Sequence, residues 1–326
     1  MPALLLALWP LFALIVGGHL LRRRDLLGEG FWPGAERLNY FILFPALLFH
    51  SLAGAPLDNP ALPRLAAAAL LGLALAWTAL LLGRRLRGWP AARFGALAQG
   101  LLRFNTYLGL AAIGSLFGPP GLALAALMLA LLVPAVNLLS VWALSAERGV
   151  GARTLLLPIL KNPLILACLA GALVNLTGLA LPAGSERLLS LLTAASLPLG
   201  LLCVGAALQP RELAGELPTL AWNCALRLLA MPLLAWAVAH LLALPALEST
   251  VLVLFFALPT APTAYVLTRQ LGGDGHLMAG LITLQTLLAA ASLPLVLTLL
   301  PWTRTQAEPS AQRPTGPSFR RNRTLL

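Results

Sequence analysis

Apolar residues run along this chain in stretches of about twenty, separated by short polar or basic segments, and that spacing predicts helices long enough to cross a bilayer. Ten such runs stand out, at about residues 2–21, 37–54, 62–83, 93–117, 120–144, 154–179, 187–208, 217–244, 249–271 and 276–300. Little chain is left for a soluble domain. The reading is an all-α membrane protein with one ten-helix domain over residues 1–300 and a disordered basic tail over 301–326, rich in Pro, Ser, Thr and Arg.

Composition agrees. Hydrophobic residues make up 59% of the 326, charged residues 10%, and mean hydropathy is +0.87, which would leave a soluble protein with large exposed apolar patches. The net charge of +11 raises the question of nucleic acid. The arginines, however, sit between apolar runs with no contiguous basic face and no interleaved aromatics, so no nucleic-acid partner is expected. The cluster Arg22-Arg23-Arg24 follows the first apolar run rather than preceding it, so that run reads as a retained span and not a cleaved signal.

Basic residues also orient the chain, because cytoplasmic loops collect Lys and Arg. The odd-numbered loops hold Arg22, Arg23, Arg24, Arg37, Arg84, Arg85, Arg87, Arg93, Arg148, Arg153, Lys161 and Arg211, whereas the even-numbered loops hold Arg64 and Arg187. The N-terminus is expected outside, and an even number of spans brings the C-terminus to the same side.

The chain is written twice. Pro45 and Pro198 each fall mid-run before small residues; "NTY" ending at Tyr107 and "PTAY" ending at Tyr265 are polar insertions; Pro134 and Pro294 recur in runs five and ten. One period of about 155 residues relates all three pairs. This gives a first repeat over residues 1–145 and a second over 154–300. Five spans per half force the second half to enter the membrane inverted. In such folds the binding site lies near the midplane, where interrupted helices of the two halves meet. The midpoints of runs four and nine are near Asn105 and Thr260. In run nine, Pro259 and Pro262 each remove a donor and crowd the preceding turn, so the helix breaks there. In run four the break is argued from Asn105, Thr106 and Gly109.

The segments "LFALIVGGHLLRRRDLL", "LNYFILFPALLFHSLAGAPL", "FNTYLGLAAIGSLFG", "KNPLILACLAGALVNLTGLALP", "LPLGLLCVGAALQP" and "ALPTAPTAYVLTRQLGGD" resemble, in order, the signature segments of the auxin efflux carrier family, the bacterial relatives of plant PIN carriers. The likeness extends over about residues 5–300. It implies two inverted five-helix repeats in a bile acid/sodium symporter-like arrangement, with spans one, two, six and seven as scaffold and crossing broken helices four and nine in a transport domain. It further implies elevator-type transport of a small organic anion, auxin-like or a mono- or dicarboxylate, in the bacterial inner membrane, often by a homodimer. The family's crossover asparagine matches Asn105, and its span-nine proline motif matches Pro259 to Pro262. One position departs: relatives often read Gly-x-Pro after the asparagine, whereas Gly109-Leu110 is followed here by Ala111.

The candidate substrate site is therefore Arg103, Asn105, Thr106, Pro259, Thr260, Pro262 and Thr263. Helix N-termini after each break, near Thr106 and Thr263, offer unpaired N–H groups and the positive dipole end to a carboxylate. Arg103 lies two residues from a midplane, where an arginine costs about 2.5–3.5 kcal/mol on insertion scales. It either faces the cavity and attracts the anion, or snorkels or caps carbonyls freed by the break. Arg227, deep in run eight, has the same two readings.

All eleven acidic residues fall in loops, tail or helix ends on this reading, so a midplane carboxylate relay is disfavoured. His50 is the candidate proton-linked group, with an ordinary pKa of about 6.5; a packed, hydrogen-bonded histidine is the alternative. Cys168, Cys203 and Cys224 have no metal-type spacing and read as packing residues; no metal or cofactor is expected. Gly83, Gly114, Gly118 and Gly205 are expected to permit close helix contact. A membrane enzyme is disfavoured, since no Ser/His/Asp set, acidic cluster or phosphate loop is evident. A non-transporting receptor or scaffold on a carrier fold stays open, because fold does not fix function.

Overall fold

The computed structural model describes residues 2–28, 30–55, 59–145, 161–214 and 216–299. The expected tail at 301–326 and the first part of the sixth apolar run lie outside them. Every regular element among the described residues is helical.

Helix α1 (Pro2–Arg23) is followed by α2 (Phe31–Leu38), which passes through a π-turn (Asn39–Leu43) into α3 (Phe44–Ala53). Helix α4 (Leu62–Arg87) starts with a proline in its first turn, where the missing donor has no cost, and ends at Gly88, whose φ of 63° closes the helix with its N–H on the Arg84 carbonyl. Helices α5 (Ala91–Leu102) and α6 (Thr106–Ser145) follow. Gly118 divides α6 into two helices: its backbone sits at φ 59° and ψ −151°, and Pro119 and Pro120 behind it cannot donate to the preceding turn. Gly118 thus makes a corner between helices and not a close helix contact.

Helix α7 (Pro163–Thr177) is capped by the Asn162 side chain, which accepts from the Leu164 amide at 2.9 Å. Next come α8 (Ser185–Ala206), a short 3₁₀ turn (Pro210–Ala214), and α9 (Leu217–Ala225), which continues through a second π-turn (Leu226–Ala230) into α10 (Met231–Leu241). Helices α11 (Ala246–Ala257), α12 (Thr263–Gln270) and α13 (Gly275–Leu299) complete the described chain.

Among the described residues, six helical stretches are long and apolar enough to cross a membrane: Leu4–Arg23, Leu62–Arg87, Ala91–Ser145, Ser185–Ala206, Leu217–Leu241 and Gly275–Leu299. Helices α7 and α11 are apolar but shorter.

Packing sorts the helices into two groups. In one, α1 lies along α8, and α3 packs on both α7 and α8. The α1–α8 contact is backbone on backbone: a Cβ on Gly205 would fall 1.7 Å from the Ile15 carbonyl oxygen, and one on Gly18 would fall 2.0 Å from that of Leu202. In the other group, α5 packs on α6 and α13, α10 on α4 and α11, and α11 on α6. Helix α6 touches both groups, and a single apolar core runs through them.

Candidate functional site

Two helices stop in mid-core. Helices α5 and α11 are each 12 residues long, each follows a proline (Pro90, Pro245), and each ends in an extended residue, Arg103 at φ −72°, ψ 150° and Leu258 at φ −64°, ψ 143°. The two helices begin 155 residues apart and end 155 residues apart, the period read from the sequence. The extended segments touch: the Asn105 amide donates to the Pro259 carbonyl at 2.8 Å.

Buried breaks expose backbone carbonyls that water cannot reach, so partners must come from side chains. Arg227, only 1% exposed, supplies three of them. Its Nε donates to the Leu258 carbonyl at 2.6 Å, one terminal nitrogen to Leu101 at 2.6 Å and the other to Phe255 at 3.1 Å. One guanidinium therefore ties the end of α5 to the end of α11. Of the two sequence readings for Arg227, the structure carries the carbonyl-capping one.

Three amides complete the knot. The Gln285 Oε1 accepts from the Thr260 amide at 2.8 Å, while its Nε2 donates to the Gly100 carbonyl at 2.9 Å and to Asn223 Oδ1 at 3.0 Å. Asn223 donates in turn to the Leu97 carbonyl at 3.2 Å, and Gln99 donates to the Thr268 hydroxyl at 2.7 Å. Gln99, Asn223 and Gln285 did not emerge from the sequence, although an amide alone in a long apolar run is itself a signal.

Asn105, fully buried, is the N-cap of α6: its Oδ1 accepts from the Leu108 amide at 3.1 Å and its carbonyl from Gly109 at 2.9 Å. Its Nδ2 donor has no partner among the described residues. The next amides, at Thr106 and Tyr107, stand in the helical turn that has no internal acceptor for them.

Beside the crossing lies a cavity of about 390 Å³. Arg103, Asn105, Thr106 and Tyr107 line it from one break, and Ala261, Pro262 and Thr263 from the other. The opposite wall comes from the first helix group, including Glu36, Tyr40, Phe44 and Cys203. Arg103, half-buried, faces this space: its guanidinium donates to Asn137 Oδ1 at 2.9 Å and to the Thr263 hydroxyl at 3.2 Å. Both acceptors are neutral.

Of the seven sequence-derived site residues, five thus come together at the cavity wall. The other two are internal to the knot: Pro259 accepts from Asn105, and Thr260 is fully buried with its hydroxyl donating to the Gln99 carbonyl at 3.0 Å. His50, half-buried in α3, is not among the lining residues. All three cysteines are buried and free, but Cys203 is also part of the cavity wall.

Glu36 departs from the sequence reading, whereas Glu248 keeps its helix-end position but is buried. Glu36 lines the cavity, one helical turn before Tyr40, and Glu248 is buried near the start of α11, accepting from Asn59 Nδ2 at 2.7 Å. Two further carboxylates tie the 3₁₀ turn and the start of α9 to neighbouring helices. Glu216 forms a two-pronged ion pair with Arg93, which also donates to Thr219 at 3.0 Å, and Glu212 accepts from His276 Nδ1 at 2.8 Å. The Arg93 hydrogen bonds hold the Glu216 carboxyl below the usual carboxylate range.

Comparison with known proteins finds membrane transport proteins. A family model described as "Membrane transport protein" matches residues 150–297. An uncharacterized transporter of Methanothermobacter thermautotrophicus is 28% identical over 285 residues, covering 86% of this chain and 93% of that protein. That alignment spans both breaks, whereas the family match covers the second, and both comparisons find membrane transport proteins, the class that the signature segments also resemble.

Proposed function

We propose that this transporter is a secondary carrier for a small organic anion, an auxin-like acid or another mono- or dicarboxylate, working by elevator-type alternating access. The observation that carries the reading is Arg103: a guanidinium on the wall of a cavity at the crossing, bonded to neutral oxygens alone, leaves its charge for an incoming carboxylate. The unpartnered Asn105 amide and the first-turn amides of α6 add donors beside it.

The matched lengths and 155-residue offset of α5 and α11 support ten spans arranged as two inverted five-helix repeats. On this reading the α1–α3, α7 and α8 group is the scaffold, and the group knotted by Arg227 moves against it as one body. Carrying the breaks and cavity wall together is what an elevator needs, because the bonds at the crossing then persist through the stroke. Both termini face outside in a plasma membrane, following the loop arginines.

Uptake of labelled carboxylates by proteoliposomes tests the function. Asn105→Ala removes the cap of α6 and one donor, and is expected to abolish uptake while costing about 1 kcal/mol of stability. Wild-type flux from Asn105→Ala refutes the site. Tight binding by the wild type with no flux under any ion gradient refutes the carrier and favours a receptor.

A further inference from the structure

The cavity holds two charges of opposite sign that are not paired. Arg103 donates to Asn137 and Thr263, and the half-buried Glu36 carboxylate has no hydrogen-bond or ion-pair partner among the described residues. A partly desolvated carboxylate and a partly desolvated guanidinium that line one cavity without a counter-charge are each costly until a ligand supplies one. Tyr40 follows Glu36 by four residues on the same helical face, a rise of about 6 Å, and stands within electrostatic reach of Arg103. Tyr107, from α6, stands within reach of Glu36, and its ring packs 4.9 Å from that of Phe44. Two hydroxyl-bearing rings thus line the same cavity as the charges, while Val133 and Val136 give it an apolar flank.

We propose that the substrate is zwitterionic, a carboxylic acid bearing an amine, with its carboxylate on Arg103 and its ammonium on Glu36. Such a molecule neutralises both charges at once, and a hydrocarbon spacer between its ends suits the valine flank. A plain anion leaves Glu36 uncompensated, and a dicarboxylate sets a second negative charge beside it. The cavity volume of about 390 Å³ accommodates an amino acid of ordinary size. The inference rests on the reading of this cavity as the substrate site.

Matched acids that differ only by the amine provide the test: propionate with alanine, pentanoate with 5-aminopentanoate, and 3-phenylpropionate with phenylalanine. Each is titrated against the full-length protein by thermal shift and as a competitor of uptake in proteoliposomes. In at least one pair the amino member is expected to act at a tenfold or more lower concentration than its twin. Glu36→Gln, close to isosteric at the cavity wall, is expected to bring that ratio within twofold. Plain acids acting as well as their amino twins in the wild type overturn the zwitterion proposal and leave the anion reading standing, a comparison that needs no variant. A tenfold preference that survives Glu36→Gln overturns the assignment to Glu36. No response to any of the six acids overturns the zwitterion proposal, and undiminished uptake of a labelled carboxylate by Arg103→Met overturns the underlying substrate site as well.

Discussion

Arg227→Met deletes the guanidinium while keeping a long apolar stem, and it strips donors from carbonyls on both broken helices. Three hydrogen bonds from a charged donor are lost, each worth about 1.5–3 kcal/mol. Removing a buried cation recovers several kcal/mol of desolvation, so the gross loss is partly offset. The carbonyls of Leu101, Phe255 and Leu258 are then left in an apolar interior that offers no replacement donor, which leaves a net cost of about 3–5 kcal/mol. At about 2–4 °C per kcal/mol for chains of this order, Tm falls by roughly 6–20 °C. Tryptophan-fluorescence melting of the detergent-solubilised protein reads this directly. Arg227→Lys keeps the charge but presents donors from one point instead of a fork, and is expected to fall between wild type and Arg227→Met. An Arg227→Met protein that melts with the wild type and transports normally refutes the view that one side chain holds the two breaks together.

The scaffold contact and the α9 tether give two further expectations. Gly205→Ala drives a methyl into the Ile15 carbonyl, so α1 and α8 must part and Tm falls by several degrees, whereas Gly34→Ala, with nothing within 4 Å of the added carbon, leaves Tm unchanged or slightly higher; equal effects from the two argue against the backbone contact. Glu216 has its folded-state pKa held below the ordinary value of 4.5, so its contribution is full above about that pH and is lost as pH falls through the lowered value. The Tm difference between wild type and Glu216→Gln is expected to be constant from pH 7 to 5 and to shrink below that, and a difference independent of pH down to 3 contradicts the Arg93 pairing.

Much of the crossing was legible from sequence because breaking a helix leaves chemical traces. Pro259 and Pro262 cannot continue a helix, Asn105 is a strong cap, and both stretches recur at one period; the 12-residue lengths of α5 and α11 follow from them. What faced the cavity was harder to read. Proline and threonine at 259 and 260 look the same in sequence as those at 262 and 263, but the first pair turns into the knot and the second lines the wall. Arg227 was visible as an anomaly, yet its partners were not, because they are backbone carbonyls that carry no residue signature and lie 28, 31 and 126 positions away. Glu36 was passed over since an acid at the edge of an apolar run reads as a solvated loop charge. Only the packing of α2 on α8 and of α3 on α6 brings it to the cavity.

The most direct test is uptake of a labelled carboxylate by proteoliposomes holding wild type, Arg103→Lys or Arg103→Met, with melting measured on each. If the guanidinium at the crossing receives the carboxylate, Arg103→Met loses uptake while staying within a few degrees of the wild-type Tm, and Arg103→Lys retains a fraction of the flux at a raised KM. Undiminished uptake by Arg103→Met would contradict the account at its centre.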